Sequence, residues 1–136
     1  MKILFVCRYN RFRSRIAEAY FKKINKNKGI KVDSAGIFKG RPIDSLEKTI
    51  TKTQGVSIGG SPKSMSSVLL SKQDIIIIVA DDVPKELFKY EGRYLQKVIV
   101  WGIKDNSTGN RKKIEIIVKK IKKKVDLLVK QLEKKK

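Results

Sequence analysis

The run "DIIIIVA" at residues 74–80 constrains the fold more tightly than any other stretch. Four consecutive isoleucines leave the strand no polar face, so it must be covered on both sides. That is the situation of a central strand in a parallel sheet. Three other segments read as strands: "KILFVC" at 2–7, "IKVDSAGI" at 30–37 and "KVIVWGI" at 97–103. Helical segments lie between them. In "RIAEAYFKKINK" (15–26) the residues Ile16, Ala19, Tyr20 and Ile24 recur at helical spacing. "DSLEKTITKTQG" (44–55) has Asp44 as its expected N-cap and Gly55 as its stop. "SPKSMSSVLLSKQ" reads as a turn with a short helix, and "DVPKELFKY" as another short helix. From Arg111 onward Ile114, Ile117, Val118, Ile121, Val125, Leu128, Val129 and Leu132 form one apolar stripe, with lysines on the other face.

Strands alternating with helices around a doubly buried strand predict an α/β fold. The expectation is a single domain over residues 1–136, with a four-stranded parallel sheet in the order 2-1-3-4 and helices on both faces, like flavodoxin. In such sheets ligands bind outside the carboxyl ends of the strands. The sole cysteine, Cys7, lies at that end of the first strand.

With one cysteine no internal disulfide can form, which fits a reducing cytoplasm. The apolar N-terminal segment is too short for a secretory signal, and "IIIIVA" is far below a membrane span, so a cytoplasmic protein is expected. No His/Cys cluster calls for a metal, and no cofactor is expected. The formal charge is +20. It is spread along the chain without interleaved aromatics, so solvated lysine faces are the first reading and a nucleic-acid surface the second. Either way the field steers anions toward the molecule.

The stretch "CRYNRFRS", Cys7 to Ser14, joins the first strand to the first helix. Free N–H groups of a helix start, together with its dipole, bind anions. If residues 8–13 curl around Cys7, their amides form a cradle for a tetrahedral oxyanion. Arg13 can grip two of its oxygens with a forked guanidinium. The same surroundings stabilise a thiolate, to which Ser14 can donate its hydroxyl. Nucleophile, cradle and clamp thus come from eight residues. The competing reading is a small buried cysteine closing an apolar strand, which leaves Asn10, Arg13 and Ser14 without a role.

The segment "ILFVCRYNRFRSRIAEAYF" resembles the N-terminus of the low-molecular-weight protein tyrosine phosphatase family, in its strand, its C-x-x-N-x-x-R-S and the following A-E-A-x-F. "VDSAGI", "GRPID", "DIIIIVADD" and "WGIKDN" resemble that family's second strand, the turn after it, its third strand and its acid loop. The resemblance implies a cysteine-dependent phosphomonoester hydrolase working through a phosphocysteine. Cys7 would attack phosphorus, and Arg13 with the backbone of Arg8, Tyr9, Asn10, Arg11 and Phe12 would hold the phosphoryl oxygens. Ser14 would steady the thiolate, and Asn10 would brace the loop against Ser34. Asp105 would be the general acid, against the alternative that it is only a loop residue. Asp81, a supporting residue, and Asp82 are the reserve acids.

The sequence departs from that pattern in four places. Tyr9 replaces the usual glycine, Phe12 a second cysteine and Arg15 a proline, while the acid loop reads Asp-Asn-Ser instead of Asp-Pro and lacks aromatics. Arg8, Arg11 and Arg15 would either form a basic mouth for a highly charged substrate or point into water. The expected partners are a phosphorylated protein or a small phosphomonoester, with no membrane, and the protein is expected to be a monomer or weak dimer. Three alternatives stay open: an arsenate reductase using an external thiol, a non-catalytic phosphate or polyanion binder, and a phosphoarginine phosphatase.

Overall fold

A computed structural model of the chain describes residues 1–89, 97–105 and 110–134. The strands are β1 (Lys2–Cys7), β2 (Lys31–Gly36), β3 (Ile75–Ala80) and β4 (Lys97–Ile103). They form one sheet in the order β2-β1-β3-β4, with every pairing parallel. β3 is buried at all six positions, as its isoleucines require, because it has a strand on each side and helices on each face.

The helices are α1 (Arg13–Ile24), α2 (Ser45–Thr53), α3 (Ser67–Ser71), α4 (Glu86–Lys89) and α5 (Arg111–Glu133). Alternate strand residues feed two cores. Ile3, Phe5, Ile75, Ile77 and Val79 pack with Ile16 and Phe21 of α1, Ile50 of α2 and the stripe of α5. On the other face Leu4, Val6, Ile76 and Ile78 meet Leu70 of α3, Val83 and Phe88. The predicted α5 stripe is the buried face, from Ile114 to Val129. At about 2–5 kcal/mol for each buried isoleucine or leucine cut to alanine, these layers fix the sheet against which the loops are positioned.

Helix α1 begins at Arg13, which lies in its first turn as the loop reading required, two residues before the periodic run that starts at Arg15. The boundaries moved most at α4, expected over 82–90 and observed over Glu86–Lys89. Asp44 occupies the N-cap position of α2 as expected but makes no side-chain capping bond there; its carboxylate accepts from Arg11 instead.

One irregularity matters for function. Ile78 pairs with Val100, but Ala80 pairs with Ile103, so β4 carries an extra residue at its carboxyl end. Gly102 takes a positive φ of 63° there, a conformation that costs a side-chain-bearing residue about 1–2 kcal/mol. The resulting bulge leaves the carbonyl of Ile103 to accept both the Asp81 amide, at 3.2 Å, and the Arg13 guanidinium, at 2.8 Å.

Candidate active site

The segment Cys7–Ser14 wraps around the carboxyl end of β1. Two observations mark it as an anion cradle. The N-cap of α1 is Phe12, whose side chain accepts no bond from the helix, and the first turn holds no acid. By contrast α3 and α5 are capped by the side chains of Ser66 and Asn110. The amides at the start of α1 are thus left for an external acceptor. Asn10 supplies the second observation: it is the only described non-glycine residue with positive φ, at 54°, which is what lets so short a loop reverse around Cys7.

Hydrogen bonds fix this loop from within, and donor counting gives them a direction. Asn10 Nδ2 donates to Ser14 Oγ at 2.8 Å and to Ser34 Oγ at 2.9 Å. Ser34 passes its own proton to Glu18 Oε1 at 2.5 Å. Ser14 Oγ already accepts from Asn10, so its proton is free for Cys7 Sγ, 2.9 Å away. The amide group is completed by Asn10 Oδ1, which accepts the Lys63 N–H at 2.9 Å. The sulfur therefore sits at the end of an oriented chain, Glu18–Ser34–Asn10–Ser14, buried except at the partly exposed Glu18. Glu18 was inside the A-E-A motif but carried no assigned role. The available signal was its spacing of four from Ser14, which puts both on one face of α1.

Arg13 is buried, at 5% exposure, yet lacks no partner. Its Nη1 donates to the Ile103 carbonyl and, at 3.3 Å, to Asp81 Oδ1; its Nη2 donates to Asp82 Oδ1 at 3.0 Å. Asp81 and Asp82, held in reserve as acids, are thus engaged in orienting the guanidinium. Two fixed carboxylates leave the fork with one preferred plane, which is the requirement for bidentate capture of an oxyanion.

The other arginines do not form a basic mouth. Arg11 turns back onto the chain, donating to the carbonyls of Arg41 and Pro42 and to Asp44. Arg15 is buried; burial lowers its pKa, against the opposing pull of Glu18 and Cys7. Arg8 alone is exposed, its guanidinium 5.4 Å above the Tyr9 ring. Tyr9 in turn pairs with Phe38, ring centroids 6.0 Å apart, and both rings are close to half exposed. Tyr9 fits where a glycine was expected because its φ is not positive and because Gly40 makes room. A Cβ on Gly40 would come within 2.7 Å of Tyr9 Cβ. Phe38 was not anticipated. Phe12 sends its side chain into the core, so only its backbone is available to a ligand.

Asp105 follows β4 and is exposed, while Asn106 and Ser107 lie outside the described residues. Asp105 is felt electrostatically by Glu47 of α2, a second unanticipated residue. Glu47 is 7% exposed. Burial, a hydrogen bond with Asp44 and repulsion by Asp105 push its pKa up to about 7, with Arg11 opposing. Arg11, Asp44, Glu47 and Asp105 therefore connect the cradle to the segment after β4 across the front of α2. Among the described residues no group of three or more His, Cys, Asp or Glu is placed to hold a metal ion, and no helix is long and apolar enough to cross a membrane.

Comparison with known proteins agrees with this geometry. A curated protein-arginine-phosphatase from Bacillus subtilis is 31% identical over 117 residues, covering 81% of this chain and 75% of that protein. The crystal structure of a protein tyrosine phosphatase from Entamoeba histolytica superposes with a TM-score of 0.85 at 25% identity, over 98% of this chain and 97% of that one. An arsenate reductase from Archaeoglobus fulgidus follows with a TM-score of 0.74 at 26% identity, over 93% of this chain and 98% of its own. The family model described as low molecular weight phosphotyrosine protein phosphatase matches residues 2–136. With cradle, fold and whole-length match in agreement, the chain belongs to the low-molecular-weight phosphotyrosine protein phosphatase family and is a cysteine-dependent phosphatase.

Proposed function

We propose that the protein hydrolyses aryl phosphate esters, with phosphotyrosine in a polypeptide as its substrate, and that residues 1–136 act as one catalytic domain. Cys7 attacks phosphorus with Ser14 donating to the thiolate. As the bond to the leaving oxygen breaks, charge gathers on the equatorial oxygens, where Arg13 and the backbone amides of residues 8–13 meet it. Asp105 gives its proton to the leaving phenolate and then takes one from the water that cleaves the phosphocysteine. Asn10, Ser34 and Glu18 position Ser14, while Asp81 and Asp82 position Arg13. The protein works in the cytoplasm without a metal.

The observation that supports an aryl substrate is the stack of Arg8, Tyr9 and Phe38 beside the cradle. A phenyl ring leaving the phosphate can lie against Phe38 or Tyr9 in an offset or tilted pair, worth about 0.5–1.5 kcal/mol beyond its buried area. The exposed Arg8 disfavours a cationic guanidinium leaving group there. Phosphoarginine is nonetheless the second reading, because the Bacillus subtilis relative is named for it. Peptides of one sequence, phosphorylated on tyrosine or on arginine, separate the two. The expected result is higher kcat/KM for phosphotyrosine, with the advantage reduced in Phe38→Ala. A preference for phosphoarginine that Phe38→Ala leaves unchanged would reverse the assignment. Arsenate-dependent oxidation of an external thiol would instead favour the reductase chemistry of the Archaeoglobus fulgidus relative.

A further inference from the structure

The buried stripe of α5, with the partly buried Leu132 packed against the same core, accounts for all of its apolar residues except Ile116 and Leu127, which are 51% and 50% exposed. These two lie on the flank that also carries Lys113, Lys120, Lys123 and Lys124. α5 packs chiefly on α1 and α2, so this flank stands away from β4, the last strand of the sheet. The space between is a groove of about 630 Å³. Trp101, backed by Phe5 with ring centroids 5.7 Å apart, and Ile117 supply an apolar floor. At the upper end stand Lys104 and Ile103, the residue whose carbonyl holds Arg13. The groove therefore shares Ile103 with the arginine site and runs from there down α5.

Its charge has one sign. Among the described residues lining it there are five lysines and no acid. The nearby acids of α5 are engaged elsewhere: Glu115 bonds to Arg111, and Asp126 accepts from Tyr20 of α1. None of the five lysines makes an ion pair with a described residue. Spacing speaks to the occupant. Ile116 and Leu127 are eleven positions apart, roughly 16 Å at the helical rise, which an extended peptide crosses in about five residues. A nucleic-acid backbone would satisfy the lysines but gain little from Ile116, Leu127 and the Trp101 floor. An extended peptide with acidic and apolar side chains would use both.

We propose that the groove between β4 and α5 binds the acidic, leucine- or isoleucine-bearing segment of the phosphoprotein substrate adjacent to its phosphorylated residue. This rests on the phosphatase reading above and assigns that site a substrate class. The lysine flank of α5 thereby acts as a specificity surface and does more than keep the helix solvated.

Two phosphotyrosine peptides test it, one followed by aspartates and glutamates with two leucines four positions apart, on one face of the extended chain, the other with serines and asparagines at those positions. The acidic peptide should have the higher kcat/KM by roughly tenfold, mostly through KM, the scale of a few exposed ion pairs with partial burial of leucine. The combined variant Lys120→Glu, Lys123→Glu, Lys124→Glu should abolish that preference while leaving turnover of a small aryl phosphate unchanged. Ile116→Asn with Leu127→Asn should reduce the preference partway. Equal kcat/KM for both peptides, or a preference that survives the triple reversal, would overturn the proposal. If no phosphate ester is hydrolysed, the phosphatase reading fails separately, and fluorescence anisotropy of the labelled unphosphorylated acidic peptide decides the groove. Salt-sensitive binding lost in the triple variant would support it. No binding, or a single-stranded RNA oligonucleotide binding the same surface more tightly, would refute it.

Discussion

The two sides of the catalytic rim are built differently. On one side Cys7, Asn10, Arg13 and Ser14 come from eight consecutive residues, and all four are buried. On the other, Phe38, Asp44, Glu47 and Asp105 come from three separate segments, and three of the four are exposed. The first side is held by buried hydrogen bonds among its own residues and to Ser34, Asp81, Asp82 and the Ile103 carbonyl, so each of its groups has a fixed partner. The second side has its groups on separate segments, mostly exposed. On the proposed function, phosphate chemistry is set at the first side and the leaving group is met at the second.

The sharpest way to break this contrast is at Asp105. If the assembled side carries proton transfer, Asp105→Asn lowers kcat by about 10²–10⁴-fold with little change in KM, the usual range for a lost general acid. A substrate with a very good leaving group, such as a dinitrophenyl phosphate, should lose much less. An equal loss on both substrates would mean that Asp105 acts on something other than the leaving oxygen.

Asn10 tests the buried side. Asn10→Ala removes two donated bonds and the one accepted from the Lys63 N–H, at about 1 kcal/mol for each. It also forces alanine into the left-handed region, at about 1 kcal/mol more. Denaturant melts should therefore show a loss of roughly 3–4 kcal/mol. Asn10→Gly relieves the backbone term alone, so it should recover about 1 kcal/mol of that loss without recovering activity. Full activity in the glycine variant would mean that loop curvature matters and the side-chain network does not.

The smallest effect belongs to Glu47. Its folded pKa near 7 lies above the ordinary carboxylate range, so the native state binds the extra proton between about pH 4.5 and 7. The contribution of Glu47 to stability accordingly falls as pH rises through that window. Glu47→Gln should be more stable than the parent by about 1–2 kcal/mol at pH 8, with the difference shrinking below pH 5. A constant offset across that range would show that Asp44, Asp105 and Arg11 do not govern this carboxyl as described.

The same division explains how much could be read from the sequence. The α5 stripe follows from periodicity, because a buried face repeats at a period the chain itself displays, and the sheet order follows from the flavodoxin-like alternation of strands and helices. Cys7, Arg13 and Ser14 were legible because their chemistry needs them close in sequence. The fate of the arginines was not. Whether Arg11 faces a substrate or folds back depends on two carbonyls and a carboxylate some thirty positions away. Phe38 and Glu47 were hidden for the same reason, since neither stands in a local pattern that sets it apart from surface residues. The bulge at Gly102 did leave a signal, a lone glycine inside an otherwise apolar strand. Its consequence, a carbonyl turned toward Arg13, required the neighbouring strand.

The central claim is that Cys7 becomes covalently phosphorylated in a cradle that needs no metal. The direct measurement is acid quench of the protein during turnover of an aryl phosphate in the presence of a strong chelator, followed by mass spectrometry of the Cys7 peptide. The account predicts phosphate on the Cys7 sulfur, accumulating further in Asp105→Asn with the dinitrophenyl ester and absent in Cys7→Ala, which is inactive. Turnover that persists in Cys7→Ala, or that stops on chelation while the sulfur stays unmodified, would contradict it.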